Sequence, residues 1–180
     1  MIEYKLTSSY EEIEEIIQLQ RDNLFEAVSA QERLQQGFVT VQHSINQLKD
    51  WHKKKPHTIA VSNGQVIGYA ISMLREYREQ VPVLVPMFEK IDQNVPSSLK
   101  YIVMGQICIH KAYRGKGIFR GLYQKMKTSC SEYDWIITEV DTSNIRSMNA
   151  HKAIGFQELI SYESNHQTWS LIYLKINDTM

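Results

Sequence analysis

Arg114-Gly115-Lys116-Gly117-Ile118-Phe119-Arg120 sets two glycines among three cations, directly ahead of a run with helical periodicity. The first amides of a helix have no carbonyl partner within it and lie at the positive end of its dipole. A loop that presents them with little side-chain obstruction therefore binds anions. Gly115 and Gly117 supply the permissive backbone. Arg114, Lys116 and Arg120 add charge in an amount that suits a polyphosphate better than a single carboxylate. The loop is neither a Walker phosphate loop nor a dinucleotide fingerprint, because Gly115, Gly117 and Gly121 have the wrong intervals and no Ser or Thr follows Lys116 to hold magnesium. Taken alone, it is either a phosphate cradle or a basic turn.

Other reactive side chains form no pattern of their own. His43, His52, His57, His110 and His166 have neither Ser/His/Asp nor metal-ligand spacing, so no metal is expected. The two cysteines, Cys108 and Cys130, are too few for a disulfide scaffold or a usual zinc site, and they point to a reducing, cytoplasmic compartment. No apolar run is long enough for a membrane span, and the acidic, amphipathic N-terminus is unlike a signal peptide; a soluble protein is expected. With 20 basic and 20 acidic residues the net charge is zero, which argues against wholesale attraction to nucleic acid or anionic lipid. The charge is nevertheless uneven. Between Gln93 and Ser131 no acidic residue occurs, while Lys100, Lys111, Lys125 and Lys127 join the three cations of the loop.

The elements that must position this loop can be read from periodicity. A length of 180 residues predicts one domain, 1–180. A strand over 2–6 precedes an amphipathic helix carrying Ile13, Ile16 and Ile17, with Ser8 and Ser9 as caps. Helical regions follow at 29–36 and 41–54, the latter ended by Pro56. Asn63-Gly64 joins strands 57–62 and 65–74 as a hairpin. A polar stretch with Pro82, Pro86 and Pro96 leaves room for a short helix at 86–91. Residues 101–109 form an almost continuous apolar strand, central in its sheet, in which Gly105 marks a bulge or a close approach. Next come the helix behind the glycine loop, a strand over 135–140, a helix over 144–154 closed by Gly155, and strands at 156–162 and 168–176. The order strand, loop, helix, strand from 101 to 140 implies a parallel pair with a crossover helix.

The glycine loop and the downstream segment Asn144 to Phe156 together resemble the GNAT superfamily of acetyl-CoA-dependent N-acetyltransferases. There, Arg/Gln-x-x-Gly-x-Gly/Ala follows the fourth strand, and an Asn-led helix, usually carrying a Tyr and closed by Gly-Phe, follows the fifth. Arg114, Gly117, Asn144, Gly155 and Phe156 match, and the resemblance covers about 101–156. It implies an α/β (α+β) fold with a mixed, mostly antiparallel sheet of about seven strands flanked by helices. Two residues depart from the pattern. Phe119 stands where the family has Gly or Ala, so the last amide stays accessible only if the ring turns into the core and Ile118 faces elsewhere. His151 stands where the family has Tyr.

The resemblance implies acetyl-CoA as co-substrate and acetyl transfer by direct attack of a small-molecule or peptide amine; homodimers are common among such proteins. Glu139 on the fifth strand then corresponds to a general base, for which a plain strand charge is the alternative. Amides around Ile107, Cys108 and Ile109 would hold the oxyanion and the pantetheine arm. Asn144 would bind that arm while also capping its helix. His151 would be the general acid: an imidazolium of pKa near 6.5 protonates a thiolate of pKa near 8.5 downhill, provided a carboxylate keeps it charged. The acceptor site is expected around 29–55, 76–100 and 163–167. Glu26, Glu32, Glu76, Glu79 and Glu163 would attract a cationic amine, and Phe38, Trp51, Tyr77 and Phe88 would hold an apolar body. Two rival readings stand beside this one. A non-catalytic acyl-CoA-binding sensor or interaction module is kept open by Phe119 and His151, and a nucleic-acid-binding protein is disfavoured by the zero net charge.

Overall fold

The computed structural model describes residues 1–31, 33 and 38–177. Seven strands form one twisted sheet in the order β1-β2-β3-β4-β5-β7-β6: β1 (Ile2–Leu6), β2 (Thr58–Ser62), β3 (Gln65–Met73), β4 (Tyr101–Ile109), β5 (Trp135–Asp141), β6 (Gln157–Ser164) and β7 (Gln167–Lys175). Every neighbouring pair is antiparallel except β4 with β5. The β2–β3 hairpin turns on Asn63 and Gly64 at φ of 52° and 77°, the left-handed pair that a two-residue loop requires.

Helices cover both faces. On one lie α1 (Tyr10–Arg21), α2 (Ile45–Lys54) and α3 (Val85–Asn94), which bury Ile13, Ile16, Trp51 and Phe88 against Ile71, Val103 and Ile137. On the other lie α4 (Ile118–Ser129) and α5 (Ile145–Ala153), where Ile118, Leu122 and Met126 pack on Ile102, Ile136 and Ile172. Among the described residues, no helix is long and apolar enough to cross a membrane.

Two local features differ from expectation, and a third falls partly outside the described residues. The helix expected over 41–54 starts at Ile45, because Ser44 caps it and exchanges side-chain and backbone hydrogen bonds with Gln47; residues 41–44 are thereby left as non-helical chain that reaches the sheet. Of the helix expected over 29–36, Ala30, Gln31 and Arg33 are helical, and residues 32 and 34–36 lie outside the described residues. Proline stops the expected helix at 86–91 from extending upstream only in part: α3 has Pro86 in its first turn, where no amide partner is needed, and runs on to Asn94.

Strands β4 and β5 pair only at Tyr101↔Trp135, Ile102↔Ile136 and Val103↔Ile137. Just beyond, β4 carries an extra residue relative to β3, since Ala70 faces Ile107 but Ser72 faces Met104. This bulge falls at Gly105 and Gln106, and the twist it adds bends β4 away from β5. The two strands therefore splay, leaving one edge of each without a partner strand and opening a gap through the middle of the sheet.

Candidate active site

Two adjoining cavities occupy the gap and its mouth. The larger, about 330 Å³, is lined by Ile107, Cys108, Ile109, Arg114, Gly115, Gly117, Ile118, Phe119 and Asn144, with Asn23, Phe38 and Ser147 among its other walls. The smaller, about 80 Å³, is lined by residues of both strands and brings Glu139 and His151 together with Gln106, Asp141 and Trp169. Phe38, Val39, Ile107, Asn144 and Ser147 line both.

The glycine loop is built as an anion cradle. Gly115 and Gly117 adopt φ of 73° and 77°, and a Cβ on either would meet nothing within 4 Å, so conformation rather than space demands glycine here. Gly117 caps α4 in the left-handed region and offers no side-chain bond, which leaves the first-turn amides of Ile118, Phe119 and Arg120 without a side-chain cap, the first two of these residues lining the larger cavity. Among the described residues no backbone carbonyl pairs with the amides of Gly115, Lys116 or Gly117. These groups fit the pyrophosphate of a coenzyme A molecule. Gly121 plays a different part, one that its spacing alone did not disclose. A Cβ there would stand 2.2 Å from the Tyr4 ring, so the glycine lets α4 settle against β1.

The three cations of the loop divide. The Arg114 guanidinium folds back, donating from Nε to the Ile109 carbonyl at 3.1 Å and from Nη2 to Asn23 Oδ1, and it lines the larger cavity. Lys116 donates to the Ala112 carbonyl and Arg120 to that of Ala153; both are exposed and neither lines the cavity.

Phe119 and Ile118 reverse the expected arrangement. Ile118 is the one that enters the core, and the Phe119 ring stands edge-on to His151 at 4.9 Å between centroids and to Tyr123 at 5.1 Å. The two departures from the family pattern thus pack against each other, and the backbone amide of Phe119 remains at the first turn of its helix.

His151 is buried in that aromatic cluster, with Phe156 on a further side at 5.0 Å. Nδ1 lies 2.8 Å from the Ser147 carbonyl, which can only accept, so Nδ1 carries the proton. Nε2 is then the acceptor for the Tyr123 hydroxyl at 2.8 Å. Burial holds the imidazole down to about 4, and among the described residues no carboxylate is hydrogen-bonded to it. An imidazolium acid at His151 does not fit these surroundings: the ring is neutral and both nitrogens are engaged.

Glu139 behaves in the opposite way. It points to the face of α1 to α3, and burial raises its carboxyl to about 7, offset in part by the hydrogen bond it accepts from Tyr162. No cation contributes to that shift. Tyr162 is the neighbour that sequence reasoning missed; it lies on β6 and reaches Glu139 on β5 across the intervening β7, and nothing in local spacing foretells that. Asn144 caps α5 by accepting from the Ser147 amide at 3.2 Å, and its Nδ2 donates to the Phe38 carbonyl at 3.4 Å. Cys108 lines the larger cavity, but burial pushes its thiol up to about 12, which removes the thiolate that a covalent intermediate would need.

The residues expected to receive an acceptor are mostly elsewhere. Trp51, Tyr77 and Phe88 belong to the core, because the aromatic face of α2 packs on β3 and the neighbouring 3-10 turn. Glu76 and Glu79 pair with Lys54 and Arg78, Glu26 and Glu163 are exposed, and Glu32 lies outside the described residues. Of the expected residues only Phe38 lines the site. Val39, Thr40 and Val41 come from the expected segment 29–55, in chain that is not helical, and Asp141 and Trp169 are the unforeseen ones.

Known proteins bear on this geometry. No curated protein matches the chain significantly. Among solved structures, yncA from Salmonella typhimurium, with its cofactor acetyl-CoA, superposes with a TM-score of 0.65 at 13% identity, covering 100% of this chain and 96% of that one. The phosphinothricin acetyltransferase from Sinorhizobium meliloti, in complex with acetyl-CoA, gives 0.63 at 15%, covering 97% and 88%. A chain of the NatC complex bound to Gag peptide and CoA gives 0.65 at 17%, covering 97% and 98%. At such identities the likeness establishes the fold. The sequence profile of the acetyltransferase (GNAT) family matches residues 13–156, well over half of the chain. The protein therefore belongs to the GNAT acetyltransferase family.

Proposed function

We propose that the protein, acting as a single domain over residues 1–180, transfers the acetyl group of acetyl-CoA to a primary amine by direct attack, with Glu139 as general base. The observation that carries this reading is a half-buried carboxylate, raised to about 7, in the same crevice as the splayed edge of β4. An alkylammonium of pKa near 10.4 must lose a proton before it attacks, and a base poised near neutrality is suited to accept it.

In this reading the Gly115–Gly117 loop and the first turn of α4 hold the pyrophosphate. Asn144 and the free edge of β4 around Ile107, Cys108 and Ile109 hold the pantetheine arm. The amine nitrogen bonds to the carbonyl carbon, and strand amides stabilise the oxyanion. The C–S bond breaks, and the proton shed by the nitrogen neutralises the departing thiolate. With a pKa near 8.5 that thiolate needs no strong acid, which is consistent with a neutral His151. Ser147, lining both cavities, and Asn144 supply neutral donors near its path.

The inert aromatic setting of His151 favours a second reading, an acyl-CoA-binding module without turnover. Two measurements decide between them. Acetyl-CoA at about 100 times its dissociation constant is expected to add roughly 2.7 kcal/mol, a melting shift of several degrees. Thiol release over a panel of primary amines then separates catalyst from module; a thermal shift with no release from any amine selects the module.

A further inference from the structure

The smaller cavity has an electrostatic character that restricts which amine it accepts. Glu139 and Asp141 are two apart on β5 and so face the same side of the sheet. Asp141 is buried, and its oxygens accept from the Ser143 amide at 2.8 Å and the Gln167 side-chain amide at 3.0 Å, both neutral donors. Among the described residues that line this cavity there is no lysine or arginine, and the one histidine is the neutral His151. Two carboxylates without a facing cation attract an ammonium group and repel a second carboxylate. The walls beside them are aromatic: Phe38 lines both cavities, Trp169 lines the smaller one, and exposed Phe25 stands edge-on to Phe38 at 5.0 Å.

Resting on the acetyl-transfer reading above, we infer that the acceptor is a primary amine on a slim apolar or aromatic stem with no carboxylate beside the nitrogen. Glu139 and Asp141 receive the ammonium, and Phe38 and Trp169 flank the stem. A free α-amino acid is excluded by the same charges that attract the amine, because its carboxylate would sit one carbon from the nitrogen with no lysine or arginine among the described residues of the smaller cavity to meet it.

The test uses three probes of one shape, phenethylamine, phenylalanine and phenylalanine amide, titrated by calorimetry into protein saturated with CoA. Phenethylamine and the amide are expected to bind at least about tenfold more tightly than phenylalanine. Asp141→Asn should narrow that ratio toward one. Thr40→Lys, which adds a cation at an exposed position of the cavity wall and leaves the core untouched, should improve phenylalanine specifically. Equal or tighter binding of phenylalanine overturns the inference, and so does failure of all three to bind. Thiol release is then measured with the same probes. The expected binding order without thiol release keeps the ligand class and removes the acetyl-transfer reading. Release that favours phenylalanine does the reverse.

Discussion

Glu139 and His151 line the same crevice from opposite faces of the sheet, and burial pushes both toward their neutral forms. For the carboxylate this moves the pKa up to about 7, into the range where a base can take a proton from an ammonium and later release it. For the imidazole it moves the pKa down to about 4, out of that range. In the proposed reaction the two sides of the gap therefore do different work with the same physics. The side of α4 and α5 contributes backbone: amides of the glycine loop, the edge of β4 and the cap at Asn144, with His151 serving as packing and as a hydrogen-bond link between α5 and α4. The side of α1 to α3 contributes charge and shape through Glu139, Asp141, Phe38 and Trp169.

Removing the charge is the most forceful way to break this comparison. Glu139→Gln is expected to lower kcat by about 10²- to 10⁴-fold while leaving acetyl-CoA affinity within about twofold, as read by steady-state kinetics and calorimetry. The rise of kcat/KM with pH through about 7 should vanish with it. Stability supplies an independent check of the same group. A carboxyl whose folded pKa lies above its ordinary 4.5 contributes stability that is fully present below 4.5 and is lost as pH rises through about 7. The Gln variant should therefore be more stable than the parent at pH 8, by up to about 3 kcal/mol, and no more stable than it at pH 4. A variant that keeps its turnover leaves Glu139 a buried strand charge and assigns the base to another group.

Gly117→Ala tests the backbone side and has a smaller expected effect. The new Cβ meets open space, so any cost is that of holding a left-handed φ of 77°, about 1 to 2 kcal/mol. Relief of that strain rotates the amides of the first turn of α4. Acetyl-CoA binding should weaken about tenfold, while the KM for the amine stays unchanged. An equal loss on both substrates would show that the two sides are mechanically one.

How much of this was legible in the chain follows the same division. The cradle was readable because its geometry is local: Gly115, Gly117 and the helix they open are contiguous, and Asn144 to Phe156 forms one helix with its cap and its stop. The parallel pairing of β4 with β5 and the bulge at Gly105 also follow from local signals, an apolar strand interrupted by glycine and a crossover helix. The acceptor side was readable only in the segment 29–55 and in Phe38. Tyr162 reaches Glu139 across 23 residues, and Phe38 and Val41 are fixed to Asn144 and Gln106 across 106 and 65. Such contacts depend on which strand edges meet, and the periodicity of Trp51 and Phe88, which fits a binding face as well as a core face, gave no means of choosing between the two.

His151→Gln has the smallest expected effect on turnover and sharpens the comparison most. Glutamine can accept from the Tyr123 hydroxyl and donate to the Ser147 carbonyl, so the link between α5 and α4 can be kept without a titratable ring. If His151 is neutral packing, kcat near pH 8 should stay within about threefold of the parent; a general acid would lose about 10²- to 10⁴-fold. The pH dependence of unfolding should change even so. A histidine whose folded pKa is depressed from 6.5 to about 4 contributes stability that is present above 6.5 and is lost as pH falls through about 4, an effect of roughly 3 kcal/mol when complete. His43 and His57 are held down to about 4 by burial in the same way, so the variant should shed only its own share of the acid lability. Urea unfolding at pH 8 and pH 4.5 reads that share as a smaller stability difference between the two conditions. A large loss of kcat with an unchanged acid profile would instead place a charged imidazole at the thioester, and the two faces of the gap would then share the proton chemistry.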